Sequence, residues 1–246
     1  MKILVCISHV PDTTSKINFT DNNTKFDTSG VQFIIGPYDD YALARAIEIK
    51  EATPGTTVTV INVGLADTEP TIRKALAIGA DDAIRINAEP TDSFFVASQI
   101  ADQAKSLGFD LILMGRESID YNSGVVHGLV GEMLGVPSVS PVMKLDIEGN
   151  KAKLTREIEG GKELLEVSLP FVAGCQEPIA EWKIPNMRGI MSARTKPLKV
   201  VEAKAVDSGV KLQNFELPPP KGSVKMIPAD QVSELVNLLK NEAKVL

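Results

Sequence analysis

Residues 110–137, DLILMGRESIDYNSGVVHGLVGEMLGVP, admit few architectures. Positions 111–114 form a short apolar run of the kind that parallel sheets bury on both faces. Gly115 ends the run where a side chain would obstruct a ligand. Ser123 and Gly124 then open a helix whose first amides have no partner within the helix and suit the phosphate of an adenine nucleotide. Strand, polar glycine loop and helix in this order build an anion cradle. The same residues also satisfy an ordinary structural turn, so the two readings stand side by side.

The rest of the N-terminal half repeats the strand and helix alternation. Strands are predicted at 2–8, 58–63 and 83–87, and helices at 38–51, 68–78 and 91–107. In the first helix Leu43, Ala46, Ile47 and Lys50 recur at spacings of three and four, and Asp39 and Asp40 complement the positive end of its dipole. Gly79 and Gly108 stand where helices stop with positive φ. This order predicts an α/β fold, a doubly wound and mostly parallel sheet of Rossmann-like type, with ligands gathered at the carboxyl ends of the strands.

After Pro137 the pattern changes to alternating residues with polar turns at 148–150 and 159–161, which predicts an antiparallel β-meander through Cys175. From Gln176 the chain is irregular and proline-containing, and FELPPPK at 215–221 excludes an ordinary helix or central strand. A final amphipathic helix is predicted over 230–246. The expected organisation is one nucleotide-binding domain over 1–199, including the meander and an exposed segment at 176–199, followed by an arm and helix over 200–246 that grip a partner subunit.

The 246 residues and 43% hydrophobic content support one sizeable core, and the net charge of −6 argues against nucleic acid as a partner. Cys6 and Cys175 lie in apolar runs and read as buried thiols; with two histidines at unsuitable spacing, no metal site is expected. No apolar run approaches the roughly 18 residues of a spanning helix, and a cytoplasmic protein is expected. Asp120 and His127 are not read as an acid/base pair, since His127 falls about one turn into a helix and Asp120 suits a bond to its own loop. His9 ends the first strand at the ligand edge without an assigned role. Arg156 and Glu157, adjacent on a strand, point to opposite faces. Residues 182–199 carry Lys183, Arg188, Arg194, Lys196 and Lys199 and no acid, with Ile184, Met187, Ile190 and Met191 among them. That pattern suits a docking loop with an apolar anchor and steering charge, or a packed helix with a solvated basic face.

The segments GPYDDYALARAIEIKE (36–51), TIRKALAIGADDAIRI (71–86), MGRESIDYNSG (114–124) and REIEGGKELLEVSLPFV (156–172) together resemble the β subunit of electron transfer flavoproteins, over roughly residues 1–200. The resemblance implies a fold close to the adenine nucleotide alpha hydrolases and a heterodimer with an α subunit. It implies an electron carrier without catalytic residues of its own, moving electrons from flavoenzymes of the acyl-CoA dehydrogenase type towards a quinone oxidoreductase and the respiratory chain. FAD would be bound mostly by the α subunit, and AMP, or a second FAD in electron-bifurcating members, by this one. The nucleotide would be lined by Cys6, Gly36, Val63, Gly115, Arg116, Asp120, Asn122, Ser123, Gly124, Val125 and Val126. Thr13 and Tyr38 would lie beside the α-subunit flavin. Glu157 would restrain the flavin domain, and Met187, Ile190 and Arg194 would meet the dehydrogenase, with Met187 at a position usually held by Leu.

The chain departs from that pattern at Gly36, where an Asn commonly precedes the proline, and at Val125 and His127, where Gln and Gly are common. Two other classes share the architecture. Stand-alone ATP-binding stress-protein-like modules carry a second glycine where this chain has Ser118. ATP-cleaving adenylating enzymes carry an S-G-G-x-D-S loop where this chain has SHVPDTTS at 8–15.

Overall fold

The computed structural model describes residues 1–246. In chain order the elements are β1 (Lys2–Cys6), β2 (His9–Pro11), β3 (Phe19–Thr20), β4 (Lys25–Phe26), β5 (Phe33–Ile35), α1 (Pro37–Ala52), β6 (Thr57–Val63), α2 (Glu69–Ile78), β7 (Asp82–Asn87), α3 (Ser93–Leu107), β8 (Leu111–Gly115), α4 (Val126–Leu134), β9 (Ser138–Glu148), β10 (Lys151–Ile158), β11 (Gly161–Ser168), β12 (Phe171–Cys175), α5 (Met187–Ala193), β13 (Leu198–Glu202) and α6 (Val232–Asn241).

Nine strands form one sheet in the order β11-β10-β9-β12-β8-β1-β6-β7-β13. From β9 to β13 every neighbouring pair is parallel, and only β10 and β11 continue antiparallel beyond β9. Strand order reverses between β1 and β8: the chain winds outward through β6 and β7, then crosses to the other side of β1. The architecture is therefore the expected doubly wound α/β fold, and the crevice such a reversal opens lies beyond Cys6 and Gly115.

The helices cover both faces because the central strands are apolar at successive positions. Ile3, Val5, Leu111 and Leu113 point into the larger core, against Leu43, Ala46 and Ile47 of α1 and Ile72 and Leu76 of α2. Leu4, Cys6, Ile112 and Met114 point the other way, against Ala97 and Ile100 of α3 and Val130 of α4. That two-sided burial is why these strands lack polar alternation. No helix is long and apolar enough to cross a membrane.

Four local expectations are corrected. The helix expected to open at Ser123 and Gly124 begins at Val126, because Ser118 N–H donates to the Ser123 carbonyl at 3.2 Å and closes 118–123 into a loop. The meander ends at β11: β12, FVAGC, is buried at all five positions and inserts in parallel between β8 and β9. A run with two apolar neighbours suits the sheet interior and not an alternating ribbon. The expected boundary at residue 199 falls inside β13, which pairs in parallel with β7. The last helix is confined to Val232–Asn241, since the Gln231 amide closes a turn on the Pro228 carbonyl and Lys244 has a φ of 54°. The two small hairpins, β2 with β5 and β3 with β4, were not anticipated.

Candidate functional site

The crest above the reversal is organised by Asp39. Its Oδ2 accepts from the Ser8 amide at 2.8 Å and the Ser8 hydroxyl at 2.5 Å, and its Oδ1 accepts from the Gly115 amide at 2.7 Å. One carboxylate thus ties the end of β1 to the end of β8 and seats the first turn of α1 between them. Asp39 and Asp40 stand in the first turn of α1, as expected of acids that complement its dipole, and both are buried besides. Asp40 accepts from the Trp182 indole at 3.0 Å and lies 3.6 Å from Lys74 Nζ.

The two glycines here serve this close approach. A Cβ on Gly115 would stand 2.7 Å from both Asp39 Oδ1 and Tyr38 Cβ, and one on Gly36 would stand 2.4 Å from Ser8 Oγ. Gly115 is therefore required by the chain's own α1, whereas the sequence suggested clearance for a ligand.

Between β8 and α4 the loop presents its backbone. Asn122 takes the left-handed conformation at φ 50°, Asp120 accepts from the Tyr121 amide at 2.8 Å, and Ser123 Oγ meets Ser93 Oγ of α3 at 2.5 Å. Ser123 bridges antiparallel to Ser118, while the amides of Gly124 and Val125 donate to no acceptor within the chain. Val125, more than half exposed, caps α4, and Val126 packs on the smaller core. Successive unpaired amides before a helix are the kind of donor that an anion takes. Cys6 and Val63 line the same side, both buried in the α3 and α4 core. Burial, with the nearby Asp39 charge, pushes the Cys6 thiol well up, so it is a neutral apolar group.

Tyr38 and Arg116 meet: the guanidinium lies over the ring at 4.8 Å. Arg116 also donates to Glu117 at 3.0 Å and to Gln176 Oε1 at 2.9 Å, and its buried Nε has no partner. Gln176 Nε2 in turn donates to Glu157 Oε2 at 2.6 Å. Arg156 turns instead to Glu163 on β11, as expected of a neighbour on the opposite face. Tyr38, Arg116 and Glu157 are thus joined through Gln176. Thr13 is exposed in the turn after β2, and nothing ties it to the crest.

The basic segment lies elsewhere, on the end of α2. Arg73 donates to the carbonyls of Ala193 and Lys196, both at 2.8 Å, and Lys196 donates to those of Leu76 and Ala80. Lys196 is thereby an internal strut, and Lys183 pairs with Glu51 at 3.0 Å. Arg188, Arg194 and Lys199 remain exposed, beside Met187 at 74% exposure, Ile190 and Met191. α5 is thus a packed short helix, and its outer side is apolar and basic.

No proton-transfer pair forms at the crest. His127 meets Ser138 Oγ at 3.3 Å, and its pKa is lowered by burial. His9 Nδ1 lies 2.8 Å from Thr71 Oγ1, with its ring stacked on Phe33. The residues that the sequence did not assign to the site are Ser8, Asp39 and Gln176. Asp39 sits beside Asp40 at a helix start, where both look solvated, and Ser8 and Gln176 each follow an apolar run whose end position was the available signal.

The fold and this crest define a doubly wound α/β domain with a loop of unpaired backbone amides at its strand-order reversal. A family profile described as the electron transfer flavoprotein domain matches residues 23–206. The chain is 36% identical over 260 residues to the electron transfer flavoprotein subunit beta of Bacillus subtilis, covering all of both chains. It is 36% identical over 249 residues to the subunit of the same name in Syntrophomonas wolfei, covering all of this chain and 98% of that one. It is also 30% identical over 258 residues to the caffeyl-CoA reductase-Etf complex subunit CarD of Acetobacterium woodii, covering 99% and 98%. The chain belongs to the electron transfer flavoprotein beta subunit family.

Proposed function

We propose that this chain is the beta subunit of a heterodimeric electron transfer flavoprotein, working in the cytoplasm without substrate chemistry of its own. It takes electrons from flavin dehydrogenases, such as acyl-CoA dehydrogenases, and passes them towards a quinone oxidoreductase and the respiratory chain. FAD, held mostly by the alpha subunit, supplies the redox chemistry when bound. The residues of this chain hold AMP as a structural nucleotide: the loop from Ser123, through the free amides of Gly124 and Val125, takes its phosphate, and Cys6 and Val63 line the apolar side. The observation that carries the reading is that set of unpaired amides at the strand-order reversal, in a chain of this family. Tyr38 and Thr13 face the flavin side, Glu157 restrains the alpha subunit's flavin domain, and Met187, Ile190 and Arg194 meet the donor. The sheet domain through β13 forms the nucleotide-binding unit, and the residues after Glu202 form the gripping arm.

A second reading, an electron-bifurcating complex with a second FAD in this subunit, is favoured by the similarity to the CarD subunit. Co-expression with the alpha partner, heat release of bound small molecules and mass measurement separate the two. One FAD and one AMP per heterodimer support the first reading, and two FAD the second. A complex without flavin rejects both.

A further inference from the structure

We propose that Gln176 is a positioning residue whose side-chain amide holds Glu157 as an unneutralised anion for a cationic side chain of the partner subunit. This rests on the reading of the chain as a beta subunit. Gln176 directly follows β12, is 6% exposed, and uses both ends of its amide: Oε1 accepts from Arg116 at 2.9 Å and Nε2 donates to Glu157 at 2.6 Å. An uncharged amide accepts at one end and donates at the other, so it fits between a cation and an anion where neither an acid nor a base fits. Without it, Arg116 and Glu157 are free to close on each other as an ion pair, and the negative charge of Glu157 is spent inside the chain.

The surrounding acids make the point by contrast. On the same antiparallel ribbon Glu148 pairs with Lys153, Glu163 with Arg156, Glu166 with Lys151 and Asp146 with Lys144. Glu157 stands opposite Lys162 in the β10 and β11 register, yet its hydrogen bond goes to Gln176 and it forms no ion pair. It is exposed, held by one oxygen, with the other accepting no bond in the chain. Arg116 is fixed from behind by Glu117 and the Tyr38 ring, so Gln176 has a firm support. A charge held ready in one orientation attracts a complementary cation at smaller ordering cost than a free side chain.

The test uses the intact heterodimer. Association of the two subunits is measured over a range of salt concentrations, with flavin content read by absorbance, for the unsubstituted chain, Gln176→Met, Glu157→Gln and the double variant. Gln176→Met is expected to weaken association roughly tenfold, to flatten its salt dependence as Glu157→Gln does, and to add little to Glu157→Gln in the double variant. Gln176→Glu keeps an acceptor for Arg116 while repelling Glu157, and is expected to show the same loss should Gln176→Met fold poorly. Unchanged association, or losses that multiply in the double variant while flavin is retained, overturn the proposal alone. Failure of the unsubstituted chain to form a flavin-containing complex overturns the beta-subunit reading and this inference with it.

Discussion

Asp39 sits where burial and hydrogen bonding pull against each other. Burial pushes its carboxyl up to about 6 from an ordinary 3.8, while the donors Ser8 and Gly115 pull it down. A raised acid binds its proton in the folded chain at pH values where the unfolded chain has released it. Stability from this group is therefore greatest below about pH 4, falls as pH rises to about 6, and is level above that. The shift corresponds to about 3 kcal/mol. Asp39→Asn removes the titration, so the stability of the unsubstituted chain relative to this variant should fall by about that amount between pH 4 and pH 7 in urea titrations. A difference independent of pH would mean that Asp39 is ionised throughout. Gly115 tests the same junction by shape. Gly115→Ala places a methyl 2.7 Å from Asp39 Oδ1 and 3.0 Å from the Asp39 backbone nitrogen, which rotamer change cannot relieve. A loss of about 1–3 kcal/mol is expected in thermal or urea unfolding. Unchanged stability would show that the α1 start moves freely over β8.

At the scale of elements, what the sequence made legible was whatever one face or one turn determines. The central strands, α1 to α3 and the stops at Gly79 and Gly108 follow from apolar runs, 3.6-residue spacing and positive φ. The loop at 118–125 was recognised as a turn from strand to helix, but its closure depends on Ser93, some thirty residues earlier, which local pattern does not carry. The register of β12 depends equally on β8 and β9. The basic segment was legible as charge and apolar content, while the seating of α5 on α2 was not: Arg73 and Gly189 decide it, and a Cβ on Gly189 would lie 2.2 Å from the Ala77 carbonyl oxygen. That fixed seat makes α5 a rigid platform for Met187, whose side chain is the most exposed apolar group on it. Met187→Ala is expected to slow reduction by the donor flavoenzyme roughly tenfold, with FAD content unchanged, because one buried anchor commonly carries that much of a docking interface. Stopped-flow reduction against donor concentration checks it, and unchanged kinetics would remove Met187 from the contact.

At the scale of the whole molecule the distribution of order along the chain sets a partner's task. The domain holds the root of the arm firmly: Gln99 bonds both backbone groups of Lys204, and Asp92 accepts from the Gly209 amide at 2.7 Å and the Ser208 hydroxyl at 2.6 Å. The Phe95 amide above all, with those bonds, holds the Asp92 carboxyl down to about 2. Further on, Phe215 stacks on Phe19 at 4.7 Å. Beyond that contact α6 stands with no buried residue, and Val232, Leu235 and Val236 are exposed along its ten residues. A helix of that length is marginal in water by itself, because one nucleation cost is spread over few hydrogen bonds. Its apolar stripe is stable only when something covers it, and the domain that ends at β13 does not. In the free chain the amides of residues 232–241 should therefore exchange hydrogen close to the rate of an unstructured peptide, while those of β1 and β8 are protected. In the heterodimer the same helix should slow by at least roughly tenfold, the effect of about 1.4 kcal/mol of added local stability. Hydrogen exchange followed by mass spectrometry on the free and assembled chain reads both states. Equal exchange in the two would mean that the alpha subunit leaves α6 uncovered, and the arm would then grip only through the segment between Phe215 and Pro228.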